Sequence, residues 1–423
     1  MKIAFVINEF PCLSETFILN QITGMLDLGH DVEIFATSAS CDSKTHPDVE
    51  KYRLMQKVNY FPQNIFMRLL SALLGFVSNL PRHPVAVIKT TFLLLARREH
   101  LALRSLYLYF HHLGKRYDII HCHFGPNGFF ASSLKRAGAD IRVLTTFHGY
   151  DINSYPNTTS PNVYDSLFKY GDLFTANTNF TKQKMIDLGC PEAKIKISPA
   201  SLRFDRFPFC VRESSSHKPV RILTIGRLVE KKGYEYSIRA LAKIVSRHSN
   251  VIYWVVGDGP LKNDLASLVA ELAVTEHVQF MGALGENEIL SLYQQADIFM
   301  LPSVTAANGD REGQALVLQE AQACGIPVIS TIHNGIPDGV LDGESAFLVP
   351  EKDVEALAER LQYLIENPQK WAEMGRIGRD FVEKKYDTKI VNQNLLQIYQ
   401  QLSSTPNRLV IPGEADNGHK IST

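Results

Sequence analysis

Two glutamates, Glu312 and Glu320, stand eight positions apart in DREGQALVLQE, residues 310–320. Leu316, Val317, Ala321 and Cys324 recur there at helical spacing. Gly325 suits the left-handed residue that ends a helix, and Pro327 cannot continue one. The spacing predicts a helix entered at Gly313, with Glu312 in the loop before it and Glu320 about two turns along it. The amides of Gly313, Gln314 and Ala315 would then lack intrahelical acceptors and carry the positive end of the helix dipole. A carboxylate beside such an anion cradle suits a ligand that is part phosphate and part polyol.

A second cluster could share that ligand. A strand runs into GRLVEKKG, residues 226–233, which places Arg227 and Lys232 on one glycine-bounded loop. Arg offers a rigid fork and Lys a point charge, a pairing suited to a diphosphate. VVGDGPLKNDL, residues 255–265, is another strand–glycine–helix turn, but it does not spell GxGxxG. The dinucleotide fingerprint is missing, which disfavours a nicotinamide dehydrogenase. His121 and His123 share one face of a strand, yet no third ligand stands nearby and the chain has no Asp-x-Asp. No metal site and no cofactor is expected.

The elements that must position these residues alternate strand and helix. Strands are expected at 3–8, 31–37, 119–124, 143–149 and 173–178, then at 221–226, 251–257, 278–282, 298–303, 327–331 and 345–350. Amphipathic segments such as 354–365 lie between them. This alternation predicts an α/β fold of two doubly wound, Rossmann-like domains facing across a cleft. Ligands in such sheets sit beyond the carboxyl ends of the strands. The expected units are an N-terminal domain (1–205), a nucleotide-sugar-binding domain (206–385), a helix returning toward the first domain (386–403) and a disordered tail (404–423). A polar linker, RESSSHKP at 212–219, joins the halves.

The length of 423 residues fits two domains, and 45% apolar with 21% charged residues is a globular composition. A formal net charge of zero gives no case for nucleic-acid binding. Six scattered cysteines without CxxC spacing suit reduced thiols in the cytoplasm. The apolar run near the N-terminus is too short for a signal peptide.

The ordered set GRLVEKKG, VGDGPL, VQFMGAL, ADIFMLPS, EGQALVLQEAQACGIPVIST and NGIPDGV resembles the retaining glycosyltransferases of the GT-B fold, family four. INEFPCLSETFI and SVTAANGDREG look like the branch that builds exopolysaccharide of colanic acid or amylovoran type. The resemblance implies transfer of a hexose from a UDP- or GDP-sugar to a saccharide or lipid-linked acceptor, without metal. It implies Arg227, Lys232 and the amides of Gly313, Gln314 and Ala315 on the donor diphosphate, and Glu320 on the ribose. Glu312 would meet the donor sugar, as nucleophile or as positioner, and His148 in TTFHGYD would orient that sugar. The family's two-glycine loop is replaced by PCLSET, residues 11–16, where Ser14, Glu15 and Thr16 mark a possible acceptor or phosphate loop and Ser14 a possible helix cap. Asp338 stands where the family has a glutamate. The competing readings are a sugar-nucleotide epimerase on the same fold and a non-catalytic nucleotide- or polysaccharide-binding protein.

Between residues 51 and 116 the chain carries eleven Lys or Arg against one acid, Glu99, among apolar segments at 66–77 and 85–96. Cations beside exposed apolar side chains would suit an anionic membrane surface. The expected location is cytoplasmic, peripheral at the inner face of the membrane.

Overall fold

A computed structural model describes residues 1–12, 15–40, 45–96, 102–213 and 218–405. Ser14, Cys41, Arg97, Arg98, the centre of the 212–219 linker and the tail beyond 405 lie outside them. The described strands form two sheets in which every pairing is parallel. The first holds β1 (Lys2–Glu9), β2 (Asp31–Ser38), β3 (Val58–Tyr60), β4 (Ile119–His123), β5 (Val143–Phe147), β6 (Leu173–Ala176) and β7 (Ile195–Ile197), in the order β3-β2-β1-β4-β5-β6-β7. The second holds β8 (Val220–Ile225), β9 (Val251–Val256), β10 (Val278–Gly282), β11 (Ile298–Leu301), β12 (Val328–Thr331) and β13 (Ala346–Val349), in the order β10-β9-β8-β11-β12-β13. These are the two doubly wound α/β sheets that the strand–helix alternation predicts. The short edge strands β3 and β7 escape the sequence reading, because three residues are too few to show a period.

Strand order reverses between β1 and β4 and again between β8 and β11. Crossovers leave such neighbours in opposite directions and open a crevice at their carboxyl ends. In the second sheet that crevice is flanked by the 226–233 loop after β8 and the loop after β11. In the first it is flanked by the loop after β1 and by His123 at the end of β4, with His148 following β5.

The chain crosses between the sheets twice, and the crossings are paired. Leu202 N–H donates to the Tyr386 carbonyl at 2.8 Å, and Thr388 N–H donates to the Leu202 carbonyl at 3.1 Å. The helix Thr388–Ser404 then packs on the first sheet, where Leu395, Ile398, Tyr399 and Leu402 join the core around Phe5 and Ile22. Arg212 is not part of an exposed linker. It is buried, and its guanidinium donates to the carbonyls of Tyr293, Gln294 and Cys324, closing the ends of two helices.

The 51–116 segment divides in two. The helix Ile65–Asn79 buries none of its residues and exposes Ile65, Phe66, Leu69, Leu73 and Val77. The helix Pro84–Ala96 exposes Val85, Ile88, Phe92 and Leu95. The helix Ala102–Lys115 instead turns inward, and its Tyr109 and Phe110 are core residues. Several cations of the segment are committed elsewhere. Arg104 lies over the rings of Phe61 and Phe130, and Lys115 pairs with Glu33 at 2.5 Å. No described helix is long and apolar enough to cross a membrane.

Candidate active site

Lys232 Nζ lies 2.5 Å from Glu312 Oε2, with side chains 13% and 12% exposed. Two loops bring them together across the switch point of the second sheet. The first ends in a short turn, Glu230–Lys232, followed by Gly233 in the left-handed region at φ 68°. A Cβ on Gly233 would lie 1.9 Å from the Pro302 carbonyl oxygen, so glycine is required for this approach. Flanking residues tie the two loops further. Glu230 accepts the Ala307 N–H at 3.0 Å, and Lys231 donates to Asp310 Oδ1 at 3.2 Å and to the Arg311 carbonyl at 3.3 Å.

Burial pushes the Glu312 carboxyl up, but Lys232 and Lys231 outweigh it and hold the group below its ordinary value. Glu312 is therefore ionised at neutral pH. Its backbone is fixed from β12. Glu312 N–H donates to His333 Nε2 at 3.1 Å, so His333 carries its proton on Nδ1 and donates it to Glu351 Oε1 at 2.6 Å. Asn334 Nδ2 donates to the Glu312 carbonyl at 2.9 Å.

The following helix is Leu316–Ala323, starting three residues later than the spacing predicts. Ala315 takes the left-handed conformation, φ 55°, because the preceding residues are drawn toward the first domain. Gln314 is buried, accepting from the Ala200 N–H at 2.7 Å and donating to the Ala200 carbonyl at 2.9 Å. The amides from Gly313 to Val317 have no acceptor among the described residues, so the run of unpaired donors is longer than a simple helix start supplies. Glu320 accepts from the Tyr293 hydroxyl at 2.8 Å, and burial raises its carboxyl above the ordinary value. Arg227 is exposed, and no described residue pairs with its guanidinium.

His148 follows β5. Its N–H and that of Gly149 donate to Asp151 Oδ1, and Gly125 N–H donates to Asp151 Oδ2. Asn177 Nδ2 donates to the His148 carbonyl at 2.8 Å. A Cβ on Gly313 would lie 2.8 Å from that same carbonyl oxygen, so the His148 and Glu312 loops touch across the cleft. Burial lowers the His148 pKa to about 3, leaving a neutral ring.

Glu15, not Ser14, occupies the cap position of the helix Thr16–Asp27, and it makes no capping bond. Its carboxyl is pushed up to about 7 by burial and by Glu9. Phe17 sets its ring 4.6 Å from that of His148, which brings this helix start beside the cleft. His121 and His123 do share a face, with ring centroids 4.4 Å apart. Both nitrogens of His121 are engaged, by the Tyr399 hydroxyl and by Thr146 Oγ1. Among the described residues no group of three or more His, Cys, Asp or Glu could hold a metal ion.

Sequence reasoning did not single out Glu230, Lys231, His333, Asn334 or Glu351. The available signal was position: each follows a strand of the second sheet at its carboxyl end.

Two family models match the chain. "Glycosyltransferase Family 4" covers residues 14–201 and "Glycosyl transferases group 1" covers residues 211–381. The WcaL glycosyltransferase of Escherichia coli K12, named for colanic acid biosynthesis, is 33% identical over 416 residues, 95% of this chain and 100% of the relative. The amylovoran biosynthesis glycosyltransferase AmsK of Erwinia amylovora is 31% identical over 416 residues, with the same coverage. Among solved structures, HepE of Anabaena in complex with UDP superposes at a TM-score of 0.73 with 17% identity, over 95% of this chain and 100% of that one. The fold is GT-B.

Proposed function

The chain belongs to the family 4, group 1 glycosyltransferases, and on that footing we propose that it moves a hexose from a UDP- or GDP-sugar to a saccharide acceptor during exopolysaccharide assembly. The observation that carries this reading is the buried Lys232–Glu312 pair beside the unpaired amides from Gly313 to Val317. A donor diphosphate placed there would meet fixed cations and N–H dipoles before the bond to the sugar breaks. Charge preorganised in this way stabilises a leaving group without a metal. Arg227, free and exposed, would close over the same phosphates. Glu312, ionised and held at both side chain and backbone, would face the sugar. Glu320 would take the ribose hydroxyls. His148, neutral, would contact the sugar by hydrogen bonding and not by charge. The transfer is proposed to retain the anomeric configuration, as the family resemblance implies. The helix start at Glu15 and Thr16 suits acceptor hydroxyls better than phosphate, since Glu15 and Glu9 would repel an anion.

The exposed apolar faces of the helices Ile65–Asn79 and Pro84–Ala96 support a lipid-linked acceptor. Apolar surface of this extent suits an interaction face. With Arg82 and Lys89 exposed beside it, the proposed occupant is an anionic membrane, at the inner face of the cytoplasmic membrane.

The deciding experiment incubates the protein with a panel of UDP- and GDP-sugars, with and without membrane lipid extract, followed by mass spectrometry and proton NMR of the product. Acceptor-dependent sugar transfer with retained configuration is expected. Conversion of the donor to an epimer without acceptor would replace this reading with the epimerase. No turnover of any donor would leave a binding protein.

A further inference from the structure

Three histidines stand together at the carboxyl ends of β4 and β5, and the function proposed above uses His148 alone. His123 Nδ1 lies 2.9 Å from His148 Nε2. The ring planes differ by 11° and the centroids are 5.2 Å apart. At that separation the rings meet edge to edge in nearly one plane, the geometry of a straight N–H···N bond. His123 is fully buried, with Phe5 at 5.9 Å and His121 at 4.4 Å holding its ring. Its other nitrogen, Nε2, is buried and has no hydrogen-bond partner. His121 cannot serve it, because its own nitrogens are taken by Tyr399 and Thr146.

Burial, with His121 and His148 nearby, keeps His123 well below its ordinary pKa, so both rings of the pair are neutral and share one proton between them. Two arrangements are available. If His148 donated through Nε2–H, His123 would carry its own proton on Nε2, as a buried donor with no acceptor. If His123 donated through Nδ1–H, its Nε2 would be a bare acceptor. Orphaned buried N–H groups are rarer than under-satisfied acceptors. The second arrangement leaves His148 accepting at Nε2 and carrying its proton on Nδ1. That Nδ1 has no partner among the described residues, and His148 is half-buried where His123 is sealed.

We propose that His123 is a positioning residue whose Nδ1–H bond to His148 Nε2 fixes His148 as the tautomer that presents Nδ1–H to an oxygen of the donor sugar. The tautomer follows from the two rings; the sugar oxygen as its partner rests on the transferase reading above.

The test uses full-length protein labelled with ¹⁵N-histidine. Proton–nitrogen spectra report the protonation of each ring nitrogen, and the His148 signals are those lost in His148→Gln. Nε2 unprotonated and Nδ1 protonated is the expected result; the reverse tautomer overturns the proposal. His123→Phe keeps a ring beside Phe5 but removes the bond. In it His148 should populate both tautomers. Turnover should fall about tenfold while donor KM moves less than about threefold, the scale of one neutral hydrogen bond lost after binding. His123→Asn, which keeps an N–H near the same place, should restore both readouts. If His123→Phe lowers the melting temperature yet leaves tautomer and turnover unchanged, His123 is a packing residue and the proposal fails. If no UDP- or GDP-sugar turns over, the transferase reading fails while the spectra still decide the tautomer.

Discussion

Glu312 keeps its charge in a nearly closed site because Lys232 lies beside it. Burial is the largest influence on the Glu312 carboxyl, and the two lysines outweigh it. A folded pKa below the ordinary value means that this group's contribution to stability is present above the ordinary pKa and is lost as pH falls through the folded one. Lys232→Ala leaves burial without its nearest counterweight. The acid limb of activity should therefore move to higher pH, the loss of melting temperature that this group causes at acid pH should shrink or reverse, and turnover should fall by roughly 10²-fold, the loss expected for one preorganised charge partner. An acid limb that stays in place in thermal melts and initial-rate series would contradict this. Arg227→Ala should lose turnover on the same scale of roughly 10²-fold with no change in melting temperature, because its guanidinium supports nothing in the fold. Glu320→Ala should weaken donor binding by about 1.5–3 kcal/mol, the worth of a hydrogen bond to a charged group. Calorimetry with UDP and GDP checks it, and unaltered affinity for both would remove Glu320 from the ribose role.

Elements set how much of this could be read in advance. The long central strands announce themselves, since β4 and β5 are buried at every position and need apolar runs broken by few polar residues. Arg227, Lys232, Glu312 and Glu320 were legible through the glycine-bounded loop and the loop–helix pattern around them, and His148 through the family resemblance. Arg227 and Lys232 follow β8, His148 follows β5, Glu312 lies in the long loop after β11 and Glu320 on the helix beyond it. The second layer was not legible. His333 acts on Glu312 through a tautomer set by Glu351, and no sequence period encodes a contact between residues 18 and 21 positions apart. The helix start failed for a similar reason: Ala315 takes a left-handed turn because Gln314 reaches to Ala200. Gly233→Ala combines a strained left-handed residue with a Cβ driven into the Pro302 carbonyl, and should cost on the order of 1–3 kcal/mol in urea unfolding; a neutral result would mean the turn is not locked. Phe66→Ser with Leu73→Ser removes exposed apolar surface from the helix Ile65–Asn79. The double variant should keep its melting temperature but lose most flotation with anionic vesicles, and wild-type binding should fall as salt rises. Equal recovery of wild type with and without vesicles would leave the two helices without a membrane partner.

The whole molecule holds its two sheets together at the cleft as well as at the crossings. Asp338 accepts from Asn179 N–H at 2.5 Å and from Asn179 Nδ2 at 2.9 Å, while its carbonyl takes Tyr386 Oη–H at 2.7 Å beside the return crossing. Gly313 abuts the His148 carbonyl, and Gln314 satisfies both the N–H and the C=O of Ala200. The loop that would cradle the donor phosphates is thus also the loop that latches the domains. Closure and donor binding should be coupled, since a closed cleft keeps water from the sugar. Gln314→Leu keeps the volume but leaves Ala200 with two unpaired groups, at a cost of about 1–3 kcal/mol to the closed form for each group that stays buried. The variant should open, with a larger radius of gyration in small-angle scattering. Its transfer rate should fall, and the fraction of donor lost to hydrolysis should rise, because water now competes with the acceptor. Addition of UDP should recover part of the compaction if the nucleotide stabilises the closed form. Scattering and product ratios identical to wild type would show that Gln314 shapes its loop without latching the domains.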